Sequence, residues 1–456
     1  MKKGNKIRRA ISLAVVLFPL VMAAQQPAAT TSSPARHEFT LQQAIDYADK
    51  NNVQVKNALL DMQIQEQTNR EVTAAAYPQV SASGSFTYNA KLPVTLLPNE
   101  IFGGPAGTYT AVPFGLKYTS SGGFNLNQLL FDGQVFVGLQ ARSTVMKFSA
   151  KNVEVTQEMI RTNITKIYYQ LVVSKQQIDM LDANIALLEK NLHDTKIIYD
   201  NGFAEKLDVD KVNVGLVNLQ TEKEKALNQI SNGYYGLKVL MGMPVQEQLT
   251  LIDTLSYDQV RDNVLDPVGF KYEDRKDFQS AQLGIELNKY NVRRYKLAKL
   301  PTLSIAGYYT KNAFRNEFDF FKSGGSWYSA SAFTLNLNIP IFSGFANNAR
   351  IKSAQLELQK SVNQQEWMKL NIDNEIESAR NSFRSAIIAL DYQKKNVELA
   401  ESVYNQTKKK YESGLGSQIE INTAQTDLKN AQTNYITALY DAIIAKVDFL
   451  KATGKL

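Results

Sequence analysis

The sequence predicts a mixed α and β fold in which one series of long helices and paired strands occurs twice. Three observations predict it: a turn sequence that occurs twice, two long stretches with a seven-residue apolar repeat, and short stretches in which apolar and polar residues alternate. The turn reads YDNGFAEKLDVD from Tyr199 and YESGLGSQIEIN from Tyr411, 212 residues further on. A repeat at a fixed distance indicates two copies of one structural unit.

The chain begins with a segment that is typical of an export signal. Five Lys or Arg residues precede an apolar run from Ala10 to Ala24, which ends in small residues suited to cleavage. We therefore expect a signal peptide at 1–24, with a retained anchor as the alternative, and a flexible tether rich in Pro, Ala, Thr and Ser at 25–38. Without the five bases, 46 basic residues face 44 acidic ones, so the charge predicts no nucleic-acid partner.

Each copy has the same predicted order: a helix, a β-hairpin, a very long helix, a tight turn and a return helix. In the first copy, 39–250, the hairpin, long helix, turn and return helix are predicted at 79–130, 134–200, 200–206 and 207–241. In the second copy, 271–456, they are predicted at 302–340, 345–412, 413–417 and 418–453. Segment 243–270 connects the copies, so the chain is expected to be an internal structural duplication.

The long helices carry the strongest signal. From Ile160 to Tyr199, and again from Ile372 to Tyr411, positions spaced alternately four and three residues apart are mostly apolar. Such a repeat is typical of a coiled-coil seam. Neither 134–199 nor 345–411 contains proline, so each helix can run unbroken for about 66 residues, or roughly 100 Å at 1.5 Å per residue.

The hairpins alternate between an apolar and a polar face. The apolar positions are Val80, Ala82, Gly84, Phe86 and Tyr88 in one strand and Phe333, Leu335, Leu337 and Ile339 in another. This pattern is typical of a transmembrane barrel with a wet interior, and an ordinary half-buried sheet is the alternative. Four strands cannot close a barrel, and lipid does not tolerate an open sheet edge. Membrane-spanning strands would therefore be shared between chains, eight in a dimer or twelve in a trimer.

The composition argues against catalysis. The chain has no cysteine, and its two histidines, His37 and His193, lie in unlike contexts where we expect them to be solvated. The sequence offers no nucleophile–base pair, metal-binding cluster or phosphate-binding loop. We therefore predict that the protein is not an enzyme and that it needs no cofactor or metal.

Taken in order, the motifs resemble those of the TolC-type outer-membrane efflux proteins, the outer membrane factor family. AAYPQVSASG and LPTLSIAGYY stand at helix-to-strand junctions, IPIFSG stands at a strand-to-helix return, and the two turns complete the set. The resemblance covers nearly the whole chain after the signal, from FTLQQAIDYADKNN to FLKATG.

This resemblance implies a homotrimer surrounded by outer-membrane lipid in a Gram-negative bacterium, with a large periplasmic portion. Three chains would build a shared transmembrane β-barrel of twelve strands, four from each chain, and a coiled-coil α-helical barrel of twelve helices. Segment 243–270 would belong to a belt around this tunnel. The implied function is that of a passive exit duct in a tripartite efflux or type I secretion system, joined to an inner-membrane pump through a periplasmic adaptor. A secreted periplasmic coiled-coil scaffold without a lumen is the alternative.

In this family the repeated turns meet the adaptor. The resemblance therefore assigns the docking tips to Gly202, Phe203, Gly414 and Leu415. Glycine permits the left-handed backbone conformation that so tight a reversal needs. Two αα-hairpin turns that merely share their turn residues are the alternative.

The resemblance also assigns a periplasmic gate. Asp208 falls on a carboxylate that hydrogen-bonds between neighbouring coils, and Tyr411 falls on its tyrosine partner. Glu420 falls on an acidic ring at the narrow entrance, where like charges would raise one another's pKa. The chain departs from the family pattern at Gly416, where some members have a latch arginine, and at Thr423, where a second acidic ring can occur.

Four residues are predicted at the helix–strand junctions. Pro78 and Pro301 lie where a helix gives way to a strand, since proline cannot extend the helical hydrogen-bond ladder. Gly133 and Gly344 suit the bend from strand back to helix. These positions are expected to be structural.

Overall fold

The structure is a computed structural model that describes residues 36–261 and 270–456. The predicted signal peptide, 1–24, lies outside the described residues. So do most of the predicted tether and residues 262–269 of the connecting segment.

The described ranges contain eight α-helices and eight β-strands. The helices are α1 (Leu41–Asn51), α2 (Val53–Ala74), α3 (Gly133–Asp200), α4 (Lys206–Met241), α5 (Tyr257–Arg261), α6 (Lys276–Leu297), α7 (Ala346–Glu412) and α8 (Gln418–Ala452). The strands are β1 (Arg36–Phe39), β2 (Gln79–Tyr88), β3 (Val94–Pro98), β4 (Tyr109–Pro113), β5 (Tyr118–Phe131), β6 (Gln248–Leu251), β7 (Thr302–Arg315) and β8 (Tyr328–Asn338). Among the described residues, no helix is both long and apolar enough to cross a membrane.

Two long helical coils dominate the fold. α3 has 68 residues and α7 has 67, and each packs along its own return helix, α4 or α8. The predicted seam of α3 is buried, as at Ile164, Leu171 and Leu181. Further along, Leu188 packs with residues of α4 such as Leu216. The four-three spacing therefore predicted the packed face of α3 correctly.

A belt of packed side chains surrounds the middle of α3. The hydroxyl of Tyr168, a fully buried residue, lies 2.9 Å from Asp253 Oδ2 and 3.0 Å from the Phe39 carbonyl oxygen. The same carboxylate accepts a hydrogen bond of 2.8 Å from the Leu41 backbone N–H. Burial, followed by the hydrogen bond to Asp253, raises the pKa of Tyr168, so the phenol remains a donor. These contacts fix both ends of the first copy to the long helix.

A second polar cluster in the belt joins α6 to α7. The nearly buried guanidinium of Arg275 lies 2.7 Å from Asp277 Oδ2 and 2.6 Å from Glu375 Oε2. Glu158 on α3 is near this cluster. Burial and the charge of Asp277 raise the pKa of Glu158, while Arg275 opposes the shift.

The end of the predicted tether is part of a sheet. Strand β1, Arg36–Phe39, pairs in parallel with β6, Gln248–Leu251, and His37 Nε2 lies 2.9 Å from Glu247 Oε2. The predictions that the tether extends to residue 38 and that His37 is solvated were therefore wrong. The partner strand is about 212 residues away along the chain, so no local pattern announces the pairing. His193 is exposed, as expected.

One antiparallel sheet contains strands of both copies in the order β2-β5-β7-β8. Val80 pairs with Leu126, which pairs with Gly307. Gly307 in turn pairs with Phe333. Because directly opposed residues point to the same side of a sheet, the apolar sets predicted for β2 and β8 lie on one face. The serines, threonines and asparagines between them lie on the other face.

The segment predicted as a single hairpin at 79–130 is more complex than expected. A second antiparallel hairpin, β3–β4, lies between β2 and β5. The sequence analysis was wrong to predict only two strands here, because the Pro and Gly residues of this loop indicate turns rather than strands. In the second copy, β8 ends at Asn338, two residues before the predicted limit.

The junction residues have two different roles. Pro78 and Pro301 lie immediately before β2 and β7. Gly344 has a left-handed backbone with φ 58°, which turns the chain into α7. Gly133 instead begins α3, and a Cβ there would lie 2.8 Å from Leu297 Cβ. Close contact with the end of α6, rather than the expected bend, therefore explains this glycine.

Candidate functional site at the helix tips

The two turns at the far ends of the coils have the same backbone geometry. Gly202 and Gly414 are left-handed, with φ 80° and 73°, as predicted. Each glycine N–H donates to the carbonyl oxygen three residues earlier, at 2.8 and 2.9 Å. The N–H groups of Phe203 and Leu415 donate to the carbonyl oxygens five residues earlier, at 3.0 and 3.1 Å. This pattern ends a helix with a left-handed glycine and lets the chain reverse.

Each tip exposes a pair of apolar side chains. Phe203 is 85% exposed and Leu415 is 78% exposed. Four residues after each of them, Leu207 and Ile419 are exposed as well. The sequence analysis missed this second pair, although its equal spacing in both copies was a readable signal. In one chain, therefore, both tips carry an uncovered apolar pair of the kind that binds a partner.

Tyr411 lies between the two coils near the tips. It packs at the edge of a cluster that contains Tyr404 and Ile421, and its hydrogen-bond partner is Thr195 on α3. Burial and the nearby charge of Asp208 raise the pKa of Tyr411. In the described part of a single chain no hydrogen bond joins Asp208 to Tyr411.

The other gate residues have local partners. Asp208 Oδ1 lies 3.7 Å from Lys211 Nζ, one turn further along α4. Glu420 Oε2 lies 2.9 Å from Lys410 Nζ, and this hydrogen bond lowers the pKa of the exposed Glu420 carboxyl. Within one chain this is opposite to the rise expected from a ring of like charges. The Thr423 hydroxyl donates to a carbonyl of its own helix at 2.9 Å.

Gly416 lies in a tight part of the second turn. A Cβ at this position would be 3.1 Å from the Tyr411 backbone nitrogen. Any larger side chain would therefore push on the residue that the resemblance assigns to the gate.

Two polar contacts join the coils further from the tips, and the sequence analysis missed both. Lys429 Nζ on α8 lies 2.7 Å from Glu222 Oε2 on α4. The buried Asn184 on α3 donates from Nδ2 to Gln432 Oε1 on α8 at 2.9 Å. A polar residue beside an apolar seam was the available signal for Asn184, but no sequence pattern identifies its partner.

Within the described residues, no cluster of His, Asp and Glu could hold a metal ion. What the site offers instead is a pair of identical turns, exposed apolar tips and polar contacts between two coils. Exposed apolar tips are a feature of surfaces that bind partners.

Comparisons with known proteins agree with this description. Residues 272–455 match the family described as "Outer membrane efflux protein". Outer membrane protein TolC of Vibrio cholerae is 20% identical over 339 residues, which cover 74% of this chain and 77% of that protein. The antibiotic efflux pump outer membrane protein ArpC of Pseudomonas putida is 22% identical over 429 residues, covering 92% and 83%.

Solved structures show the same fold. The outer membrane protein VceC of Vibrio cholerae superposes with a TM-score of 0.70 at 17% identity, covering 91% of this chain and 96% of VceC. The CmeC outer membrane channel of Campylobacter jejuni gives a TM-score of 0.73 at 18% identity, covering 91% and 85%.

The fold is therefore that of outer-membrane channel proteins. Residues 272–455 match the outer membrane efflux protein family, in agreement with the resemblance seen in the motifs. The relatives named above are outer membrane proteins.

Proposed function

We propose that three copies of the chain form a channel-tunnel that serves as the exit duct of a tripartite efflux or type I secretion system. The duct works passively, with a periplasmic adaptor at its tips and an inner-membrane pump that supplies the energy. The observation that carries this proposal is the four-stranded sheet with one apolar face, one polar face and two free edges.

The free edges require more than one chain. β2 and β8 are the edge strands, and in lipid their unpaired N–H and C=O groups would have no partners. The four strands alternate in direction, so β2 of one chain can pair with β8 of the next and continue the alternation. Three copies give twelve strands with the polar face inside and the apolar face towards lipid.

The helices supply a duct of sufficient length. At 1.5 Å per residue, the 68 residues of α3 extend for roughly 100 Å. Four coil helices per chain give twelve in a trimer. The exposed pairs at the tips, Phe203 with Leu207 and Leu415 with Ile419, then form six equivalent apolar patches for the adaptor.

The partnership with a pump is supported by relatives. ArpC, which covers most of the chain, is described as the outer membrane protein of an antibiotic efflux pump. The gate is proposed at Asp208, Tyr411 and Glu420, where the coils lie close together near the tips.

Single-channel current in a planar lipid bilayer tests the proposal. The purified mature protein is compared with an Asp208→Ala, Tyr411→Phe double variant. Tyr199→Phe, at the equivalent position of the first turn, together with Asp210→Ala serves as the matched control. A small cation-selective conductance that grows in the double variant and not in the control is expected.

Two other results are informative. Equal conductance in all three proteins would keep the duct and remove the gate from Asp208 and Tyr411. Folded, membrane-inserted protein without conductance would contradict the duct and favour the scaffold without a lumen.

A further inference from the structure

The hairpin β3–β4 at the outer end of the sheet is uncovered in a single chain. We propose that its apolar face packs against the β7–β8 loop of a neighbouring copy and forms an apolar seam around the outer mouth. This inference rests on the proposed assembly, in which β2 pairs with β8 of the next chain.

The segment that carries the hairpin is almost free of charge. From Leu92 to Leu116 the only charged residue is Glu100, whereas 21% of the whole chain is charged. Glu100 Oε1 accepts a hydrogen bond of 3.0 Å from the Gly107 N–H, so the carboxylate closes the hairpin loop on itself. A surface loop of this composition is unusual in water and indicates contact with another surface.

One face of the hairpin consists of apolar and aromatic residues. Val94 pairs with Pro113, Leu96 with Ala111, and Pro98 with Tyr109, and opposed residues share a face. Leu96, at the centre of this face, is 63% exposed. The opposite face is mixed, because Thr95 pairs with Val112 and Leu97 pairs with Thr110.

The hairpin continues the free edge of the sheet. Asn89, directly after β2, donates from its backbone N–H to the Lys117 carbonyl at 2.8 Å. The Phe114 N–H donates to the Pro93 carbonyl at 2.9 Å. Because β3 follows the edge strand β2 and β4 precedes the inner strand β5, β3 extends the edge that meets the neighbouring chain.

The surface that the hairpin would meet is the aromatic loop between β7 and β8. β8 starts at the outer end of the sheet, so the loop before it, residues 316–327, lies at the level of the hairpin. Phe318 packs edge-on against Phe86 with ring centroids 5.4 Å apart, and Arg315 donates to the Ser326 carbonyl at 3.0 Å. These contacts hold the loop and leave Phe321 90% exposed.

A second copy of the chain is therefore the occupant that fits the hairpin. Both surfaces are apolar, and each adjoins a sheet edge that pairs with a copy in the proposed barrel. Within one chain Phe318 reaches over β5 to Phe86 on β2, whereas Phe321, in the loop that leads into the edge strand β8, stays 90% exposed.

Cysteine crosslinking tests this contact on a clean background, because the chain has no cysteine of its own. Leu96→Cys and Phe321→Cys are combined in the full-length protein and oxidised in isolated outer membranes. Covalent dimers and trimers in SDS are expected from the double variant and not from either single variant. The pair Val94→Cys with Phe318→Cys provides a second combination if the first does not fold.

Three outcomes would overturn the inference. Crosslinked dimers from Leu96→Cys alone would mean that hairpins meet one another. Quenching of a bimane label on Leu96→Cys by brominated lipid would assign the face to the membrane. An intact, conducting trimer in which neither pair crosslinks would refute the seam alone, whereas a folded monomer would refute the proposed duct as well.

A matched pair of charge insertions gives an independent readout. Leu96→Asp lies on the apolar face and Thr95→Asp on the opposite one. Leu96→Asp is expected to lower the temperature at which the trimer dissociates in SDS, and Thr95→Asp to leave it nearly unchanged. Equal shifts in the two variants would contradict a seam built on the Leu96 face.

Discussion

Removing the contact between Glu222 and Lys429 is expected to raise the open fraction of the duct. In the proposed duct, opening requires the two coils of a chain to move relative to each other, and this ion pair joins α4 to α8 at 2.7 Å. The side chains are 37% and 26% exposed, so water partly screens the pair, and its contribution is about 1 kcal/mol. With RT of about 0.59 kcal/mol at 25 °C, Glu222→Gln should increase the open-to-closed ratio about fivefold.

Single-channel recording measures this ratio directly, and the chain offers a control on the same helix. Glu224 is exposed and, within the described residues, forms no ion pair, so Glu224→Gln should leave the ratio unchanged. Raising the salt from 0.1 M to 1 M shortens the Debye length from about 10 Å to about 3 Å. High salt should therefore move the wild type towards the Glu222→Gln value.

A charge exchange completes the test. Glu222→Lys combined with Lys429→Glu restores opposite charges and should recover the closed state, whereas either substitution alone should not. Equal open fractions for Glu222→Gln and Glu224→Gln, or no recovery on exchange, would refute the view that this pair holds the coils together.

Three further predictions concern stability. Tyr168→Phe should lower the free energy of unfolding by about 1.5–3 kcal/mol, because the partly buried Asp253 carboxylate loses a donor. Urea unfolding should show no comparable loss for the exposed Tyr235→Phe. Because the pKa of Glu158 is raised in the folded protein, the stability of the fold should fall as pH rises above 4.5. If the melting temperature of Glu158→Gln falls with pH as steeply as that of the wild type, Glu158 is not the group responsible. Because Lys410 lowers the pKa of Glu420, the second tip should become less stable as pH falls below 4.5. Hydrogen exchange of the backbone amides at this tip, corrected for the intrinsic exchange rate, should therefore speed up at low pH in the wild type and not in Glu420→Gln.

The parts of the fold that the sequence predicted are those with a local periodic signal. A coiled-coil seam places an apolar residue at every third or fourth position, so α3 was predicted to within one residue of its observed start at Gly133. Strands β2 and β8 alternate in polarity because one face is apolar. Glycine favours the left-handed backbone that both turns adopt at Gly202 and Gly414, so the tips could be located from the sequence.

The parts that were missed depend on distant partners. Strand β1 has only four residues and acquires its partner, β6, from the end of the first copy. The contact between Glu222 and Lys429 depends on how two coils are rotated against each other, and no spacing within either helix encodes that angle. Hairpin β3–β4 was not predicted because the Pro and Gly residues within and beside it are typical of a loop without strands.

The pairing of β5 with β7 joins the two copies, and both strands have 14 residues. Within the chain, this pairing is the counterpart of the one proposed between β8 and β2 of the next chain. In the proposed trimer the extra hairpin of the first copy recurs at three of six sectors. The outer mouth would then have threefold symmetry, while the turns at the opposite end approximate a sixfold ring.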